Sequence, residues 1–244
     1  MPVGPASPAP GRRFLKSSDR SPHRQPGKPE AVGFLSFIKM KKYLIFDTET
    51  TGLPPSPFPS PTLVDAWPRL VQLAFIVCNE EGKRISHYCE TVKPAGWTIP
   101  EGLPHRITTE VAKETGKPVW DILHAFFHTA AAVGNLVAHN MDFDKGVIAS
   151  EFYRMFGCEP SDLAKMYCTQ KQTAGITRIP KKRGERGTAV YKFPSLAQLH
   201  SFCGFGEIQD AHDALADTVA CAKCFFHIKS KFPDSFNEPY QRGW

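Results

Sequence analysis

Phe46-Asp47-Thr48-Glu49-Thr50-Thr51-Gly52 closes a short apolar run, Tyr43 to Phe46, with two acids one residue apart. In a strand, residues i and i+2 share a face, so Asp47 and Glu49 can aim both carboxylates at one point. Hard divalent ions such as Mg²⁺ prefer carboxylate oxygens and keep positions open for phosphate, so the pair outlines a cation site suited to metal-assisted phosphate chemistry. An isolated acid-x-acid at a strand end is more commonly solvated turn chemistry, and the pair gains weight only from its company elsewhere in the chain.

Two later segments supply that weight. Leu136-Val137-Ala138 reads as a buried strand that runs into His139-Asn140-Met141-Asp142-Phe143-Asp144, after which Val147, Ile148, Phe152 and Met155 recur at helical spacing. Further on, His212-Asp213-Ala214-Leu215-Ala216-Asp217 precedes a helical run to about Lys229. Each has an ordinary explanation when taken alone: Asp142 and Asp144 as helix-entry acids, Asp213 as an N-cap, His212 as a surface histidine. Together they place acid-x-acid, Asn-x3-Asp and His-x4-Asp at three element junctions, an order that chance produces rarely.

The set resembles the three exonuclease motifs of the DEDDh branch of the DnaQ-like 3′-5′ exonucleases. That family includes the proofreading subunit of bacterial DNA polymerase III, ribonuclease T, oligoribonuclease and TREX-type enzymes. FDTETTG is similar to the first motif, AHNMDFD to the second and HDALAD to the third, over a resemblance spanning roughly residues 41 to 230. The acids carried over are Asp47, Glu49, Asp144 and Asp217, with His212 as the histidine. The Asn-x3-Asp pattern, with Phe directly before the acid, selects Asp144 rather than Asp142.

The resemblance implies a metal-dependent 3′-5′ exonuclease that releases nucleoside monophosphates, with DNA favoured and DNA proofreading among the roles of its relatives. It implies two divalent ions, Mg²⁺ or Mn²⁺, of the kind that lie ~3.5–4 Å apart in two-metal sites. Asp47 would bridge them, Glu49 and Asp217 would hold the ion that binds the attacking water, and Asp144 would assist the second. His212 would be the general base, a role suited to an unperturbed imidazole pKa of ~6.5. The alternatives are an RNA exonuclease of the same family and a nucleic-acid-binding module that has lost cleavage.

Around these residues the pattern predicts a hairpin of Leu70–Cys78 and Lys83–Lys93 turning through Glu80-Glu81-Gly82. It also predicts a helix over Val119–Ala132, strands at Leu136–Ala138 and Lys165–Cys168, and a helix over 142–156. Hairpins followed by alternating helices and strands indicate an α/β sheet of mixed direction. The resemblance sharpens this to a ribonuclease H-like fold, a mixed five-stranded sheet flanked by helices.

By the same resemblance Thr50 and His105 are the candidate substrate-binding residues. His105 lies in Pro104-His105-Arg106-Ile107-Thr108, which is similar to a His-Gly-Ile-Thr segment except that Arg106 replaces the glycine. The basic stretch Lys181-Lys182-Arg183-Gly184-Glu185-Arg186 is either a phosphate-contacting loop or a solvated one. Pro54 to Pro68, rich in proline, reads as a rigid loop at the rim of the cleft.

At 244 residues the chain accommodates one ordinary domain with tails. Its net charge of +6 is concentrated in residues 1–39, where seven Lys/Arg against two Asp/Glu give +5 and leave +1 for the rest. Nucleic-acid binding must therefore rest on local patches and metals rather than overall charge. The division expected is a disordered extension over 1–39, an exonuclease domain over 40–232 and a C-terminal tail over 233–244, with Met40 as the natural start. The partner expected is nucleic acid with a single-stranded 3′ end. The short segment after the last helix favours a free-standing enzyme over polymerase association, and a homodimer is left open because several relatives form one. No apolar run approaches the ~20 residues that span a membrane. Seven cysteines in no disulfide pattern, with Cys221-x-x-Cys224 read as buried packing, point to a reducing, cytoplasmic setting.

Overall fold

The computed structural model describes residues 40–161, 164–181 and 191–240, together with Met1 and Gly4. The expected extension over 1–39 and the basic stretch beyond Lys181 lie outside the described residues.

β1 (Tyr43–Thr50) is the centre of a five-stranded sheet. It pairs antiparallel with β2 (Leu70–Cys78), which pairs antiparallel with β3 (Arg84–Thr91). On its other side it runs parallel to β4 (Asn135–Ala138), which runs parallel to β5 (Lys165–Cys168). The order is β3-β2-β1-β4-β5, the mixed sheet expected from hairpins followed by crossover helices. β1 continues four residues past the apolar run, because Asp47, Thr48 and Glu49 stay in register with Ala74, Leu73 and Gln72 of β2 before a bulge at Glu49/Thr50.

Strand alternation divides the core between two helical layers. Leu44 and Phe46 face a cluster with Ile122, Leu123 and Phe126 of α2 (Val119–Val133) and Val147 and Ile148 of α3 (Met141–Phe156); the rings of Phe46 and Phe126 meet edge-on at 5.0 Å. Tyr43 and Ile45 face the opposite layer, with Leu199 of α6 (Leu196–Phe202) and Cys221, Cys224, Phe225 and Ile228 of α7 (Ala214–Lys231). Cys221 and Cys224 are thus core packing residues.

Local chemistry sets the helix ends. Gly134 closes α2 at φ +73°, its N–H donating to the Ala130 carbonyl at 2.8 Å. Ser195 and Gln198 form a reciprocal capping box on α6. Three short helices lacked a periodic signature: α1 (Thr109–Thr115), capped by the Thr108 hydroxyl, and the single turns α4 (Thr169–Gln172) and α5 (Ala174–Thr177). The segment after α7 folds back on the sheet: Phe236 packs on Phe225 with centroids 4.6 Å apart, and the Tyr240 N–H donates to the Met166 carbonyl at 2.6 Å. Among the described residues no helix is long and apolar enough to cross a membrane.

Candidate active site

Asp47 and Glu49 extend the α7-facing side of β1, following Tyr43 and Ile45 at the strand's period of two. The start of α7 is fastened to the β2 residues opposite them. The Ala214 N–H donates to Gln72 Oε1 at 3.1 Å and the Thr218 hydroxyl to the Ala74 carbonyl at 3.4 Å, and Gln72 and Ala74 are the register partners of Glu49 and Asp47. Asp213 is the N-cap, its carboxylate accepting from the N–H groups of Leu215 at 3.1 Å and Ala216 at 3.0 Å.

One turn into α7, Asp217 reaches back and accepts the His212 N–H at 3.1 Å. That bond helps hold His212 at φ +70°, in the left-handed region that costs a side-chain-bearing residue about 1–2 kcal/mol. Glu49, His212 and Asp217 each offer a ligand atom, all within 4.8 Å of one another.

Asp144 arrives from the other layer. It sits in the first turn of α3, only 2% exposed, and its Oδ1 accepts from both the Thr48 N–H at 3.1 Å and the Thr48 hydroxyl at 2.8 Å. Asp142, two residues earlier, goes elsewhere. Its carboxylate pairs with Lys171 and accepts from the Tyr240 hydroxyl at 3.0 Å. The two acids of this segment thus have separate surroundings, and only Asp144 figures among the charges acting on Asp47.

Burial governs the electrostatics, and crowding adds to it. Burial, then Asp144, Asp217 and Glu49, push the Asp47 carboxyl well above the ordinary carboxylate range. Burial first, and then Asp217 and Asp144, push Glu49 up to about 8. Burial raises Asp144 to about 7 against the pull of the two Thr48 hydrogen bonds, and raises Asp217 against that of the His212 N–H. Among the described residues, the charges that bear on these four acids are one another's carboxylates, Asp213 and His212. Four carboxylates converging in this way suit divalent cations, so the donor set fits the metals that the motifs imply.

A pH dependence follows, and its sign is fixed by the raised values. Near neutrality the folded protein retains protons on Glu49 and Asp144 that the unfolded chain, with ordinary carboxylates, has released. The stability this gives is complete below the ordinary carboxylate pKa of ~4 and is lost as pH rises through about 7 and about 8. Metal-free protein should therefore melt at a lower temperature at pH 8.5 than at pH 6. Mg²⁺ or Mn²⁺ should raise the melting temperature more at the higher pH, where fewer protons compete for the oxygens. Thermal shift with and without chelator checks this, and equal metal-induced shifts at both pH values would contradict it.

The expected substrate-binding residues lie at the end of β1. Thr50 is buried, with its hydroxyl donating to the Gly52 carbonyl at 2.7 Å. Its own carbonyl faces His105 Nε2 at 3.2 Å. The Ile107 N–H donates to His105 Nδ1 at 3.0 Å, so the neutral ring carries its proton on Nε2 and donates to Thr50. Burial lowers the His105 pKa, with His212 nearby adding to the effect. Arg106 takes φ +59°, the left-handed conformation that glycine adopts without cost, which accounts physically for a glycine at this place in the motif.

Sequence reasoning missed Thr48 and Gln72, the residues that position Asp144 and α7. Period-two alternation put Thr48 on the face opposite the acids, and nothing in the sequence indicated that its hydroxyl turns to α3.

A family model described as exonuclease, RNase T type, matches residues 44–225. No curated protein sequence matches the chain. Among solved structures, Escherichia coli exonuclease I in complex with a dA16 oligonucleotide is similar at 23% identity and a TM-score of 0.60, covering 81% of this chain and 42% of that one. The same enzyme with a dT13 oligonucleotide gives 23% identity and a TM-score of 0.62, covering 81% and 43%. Its zinc-bound complex with single-stranded DNA gives 22% and 0.59, covering 81% and 42%. The chain therefore spans less than half the length of these structures.

Proposed function

Because the chain belongs to the exonuclease family, in the DEDDh branch of the DnaQ-like 3′-5′ exonucleases, we propose that it removes nucleoside monophosphates from the 3′ end of nucleic acid, with single-stranded DNA as the favoured substrate. The observation that carries this reading is the meeting of Asp47 and Glu49 from β1, Asp144 from α3, and Asp217 with His212 from the start of α7 at one end of the central strand.

Two divalent ions, Mg²⁺ or Mn²⁺, would be held by Asp47, Glu49, Asp144 and Asp217 and would supply an acidified water and polarised phosphate oxygens. The protein's own groups do the rest. His212, placed ahead of the helix and exposed, takes the proton from the attacking water. The water oxygen bonds to phosphorus, the P–O3′ bond breaks, and the product leaves as a 5′-monophosphate with a new 3′-hydroxyl on the shortened strand. Thr48 keeps one oxygen of Asp144 engaged so that the carboxylate presents the other. His105, by holding the Thr50 carbonyl, fixes the turn on which the 3′ terminus would rest.

The choice of DNA is supported by the dA16 and dT13 oligonucleotides bound to exonuclease I. The proposal includes an exonuclease domain over 40–232, within which the family match lies, acting apart from a polymerase and in the cytoplasm. The test is digestion, side by side, of matched 3′ ends in single-stranded DNA, duplex DNA, mismatched duplex and RNA, with Mg²⁺ or Mn²⁺. Single-stranded DNA should be shortened fastest and from the 3′ end only. Preferential loss of RNA would move the assignment to an RNA exonuclease, and binding without cleavage under either metal would make it a binding module.

A further inference from the structure

The proline-rich segment between β1 and β2 is pinned to α3. Trp67 is buried directly over Gly146, where a Cβ would lie 2.0 Å from the indole, so a residue other than glycine there would displace the ring. The indole N–H donates to the Ser60 carbonyl at 3.2 Å, and the Arg154 guanidinium of α3 donates to the carbonyls of Val64 and Trp67. Fixed this way, the segment presents Phe58 at 40% exposure. Its ring lies 5.8 Å from Trp67 and 6.2 Å from Phe143, the residue directly before Asp144.

Phe58 is one of several partly exposed aromatic rings among the described residues, and its place rather than its exposure sets it apart. It is held by a loop pinned to α3 and lies against Phe143, the residue that precedes an active-site carboxylate. Unpaired nucleobases bring a π-face of any sequence, and stacking on aromatic side chains is how single strands are gripped without base readout.

We propose that Phe58 is a stacking platform for an unpaired base of the strand entering the site. This rests on the nucleic-acid reading above and adds a contact outside the motifs. It assigns the proline-rich segment a role in holding single strands, since a base paired in a duplex does not offer its face to a side ring.

The test separates binding from cleavage. Affinity for a labelled single-stranded oligodeoxythymidylate is measured by fluorescence anisotropy, and digestion in parallel, for wild type, Phe58→Ala and Phe58→Trp. Phe58→Ala should weaken binding and raise KM by roughly 5- to 100-fold with kcat unchanged and a cooperative melting transition retained, while Phe58→Trp should retain wild-type affinity. In oligonucleotides carrying one abasic site stepped back from the 3′ end, a single position should reproduce the loss in wild type and abolish the difference from Phe58→Ala. Equal affinity of wild type and Phe58→Ala overturns the proposal. A loss that no abasic position cancels overturns it too, because the loop would then act through shape alone. Phe58-dependent binding without any cleavage upholds the platform and rejects the nuclease reading instead.

Discussion

Asp47→Ala should cut metal-dependent shortening of a 3′ end by ~10³-fold or more, and Asp217→Ala should do the same. Polarisation of a phosphate by bound metal supplies several kcal/mol in the transition state, and each 1.36 kcal/mol is tenfold in rate. Asp47 is the acid on which the other three bear most directly, since Asp144, Asp217 and Glu49 all raise its pKa. The substitution has a second signature. Burial first, and then the neighbouring acids, disfavour ionised Asp47, so at pH 8.5, where those neighbours are charged, metal-free Asp47→Ala should melt no lower than wild type. Rate and thermal melting of the same preparation decide the matter. Unchanged cleavage by both variants would sink the assignment, and a collapse in melting temperature would mean that activity was lost through unfolding.

His212→Ala carries the second large effect, a loss of roughly 10²–10⁴ in kcat, the usual contribution of a positioned general base. The structure allows a competing role, because His212 stands with Glu49 and Asp217 in a group able to hold a metal. The two roles separate in one measurement. A base can be removed without touching the metal, so the Mg²⁺-induced rise in melting temperature should persist in His212→Ala while turnover falls. If that rise disappears with the activity, His212 is a ligand and the proton must leave by another route. Its left-handed backbone, held by Asp217, belongs with either role, since strain of this kind persists only where the surroundings over-determine it.

Much of this site was legible in the chain, and the reasons are physical. Acid-x-acid on a strand, an acid early in a helix and a histidine just ahead of a capped helix are local statements, and local geometry places such residues without help from distant parts of the fold. The strands and long helices were legible for the same reason, through the near-continuous apolar run Leu70–Cys78 and apolar recurrence over 119–133 and 141–156. What stayed hidden is relational. Thr48 serves Asp144 across the sheet, Gln72 holds the first turn of α7, and Trp67 needs the bare backbone of Gly146; each pairing joins residues about 70 or more positions apart that carry no mark of one another. α1 escaped because its seven residues contain too few apolar positions to set a period. Thr50, which the motif put forward for substrate, gives no local sign of the bond its hydroxyl donates to the Gly52 carbonyl.

The division of labour between the two helical layers bears on when the proposed activity begins during synthesis. β1 contributes Asp47 and Glu49 early in synthesis, α3 adds Asp144 in mid-chain, and Asp217 and His212 come with α7, the last long helix described. α7 is also what fills the core beneath Tyr43 and Ile45. A chain still emerging from the ribosome, with messenger and transfer RNA at close quarters, carries three of the five residues of the candidate site ahead of α7, on a sheet whose second face lacks its main helix. Docking of α7 brings its side of the hydrophobic core and the last two residues of the candidate site together in the same step, so the proposed cleavage begins only once the chain is folded.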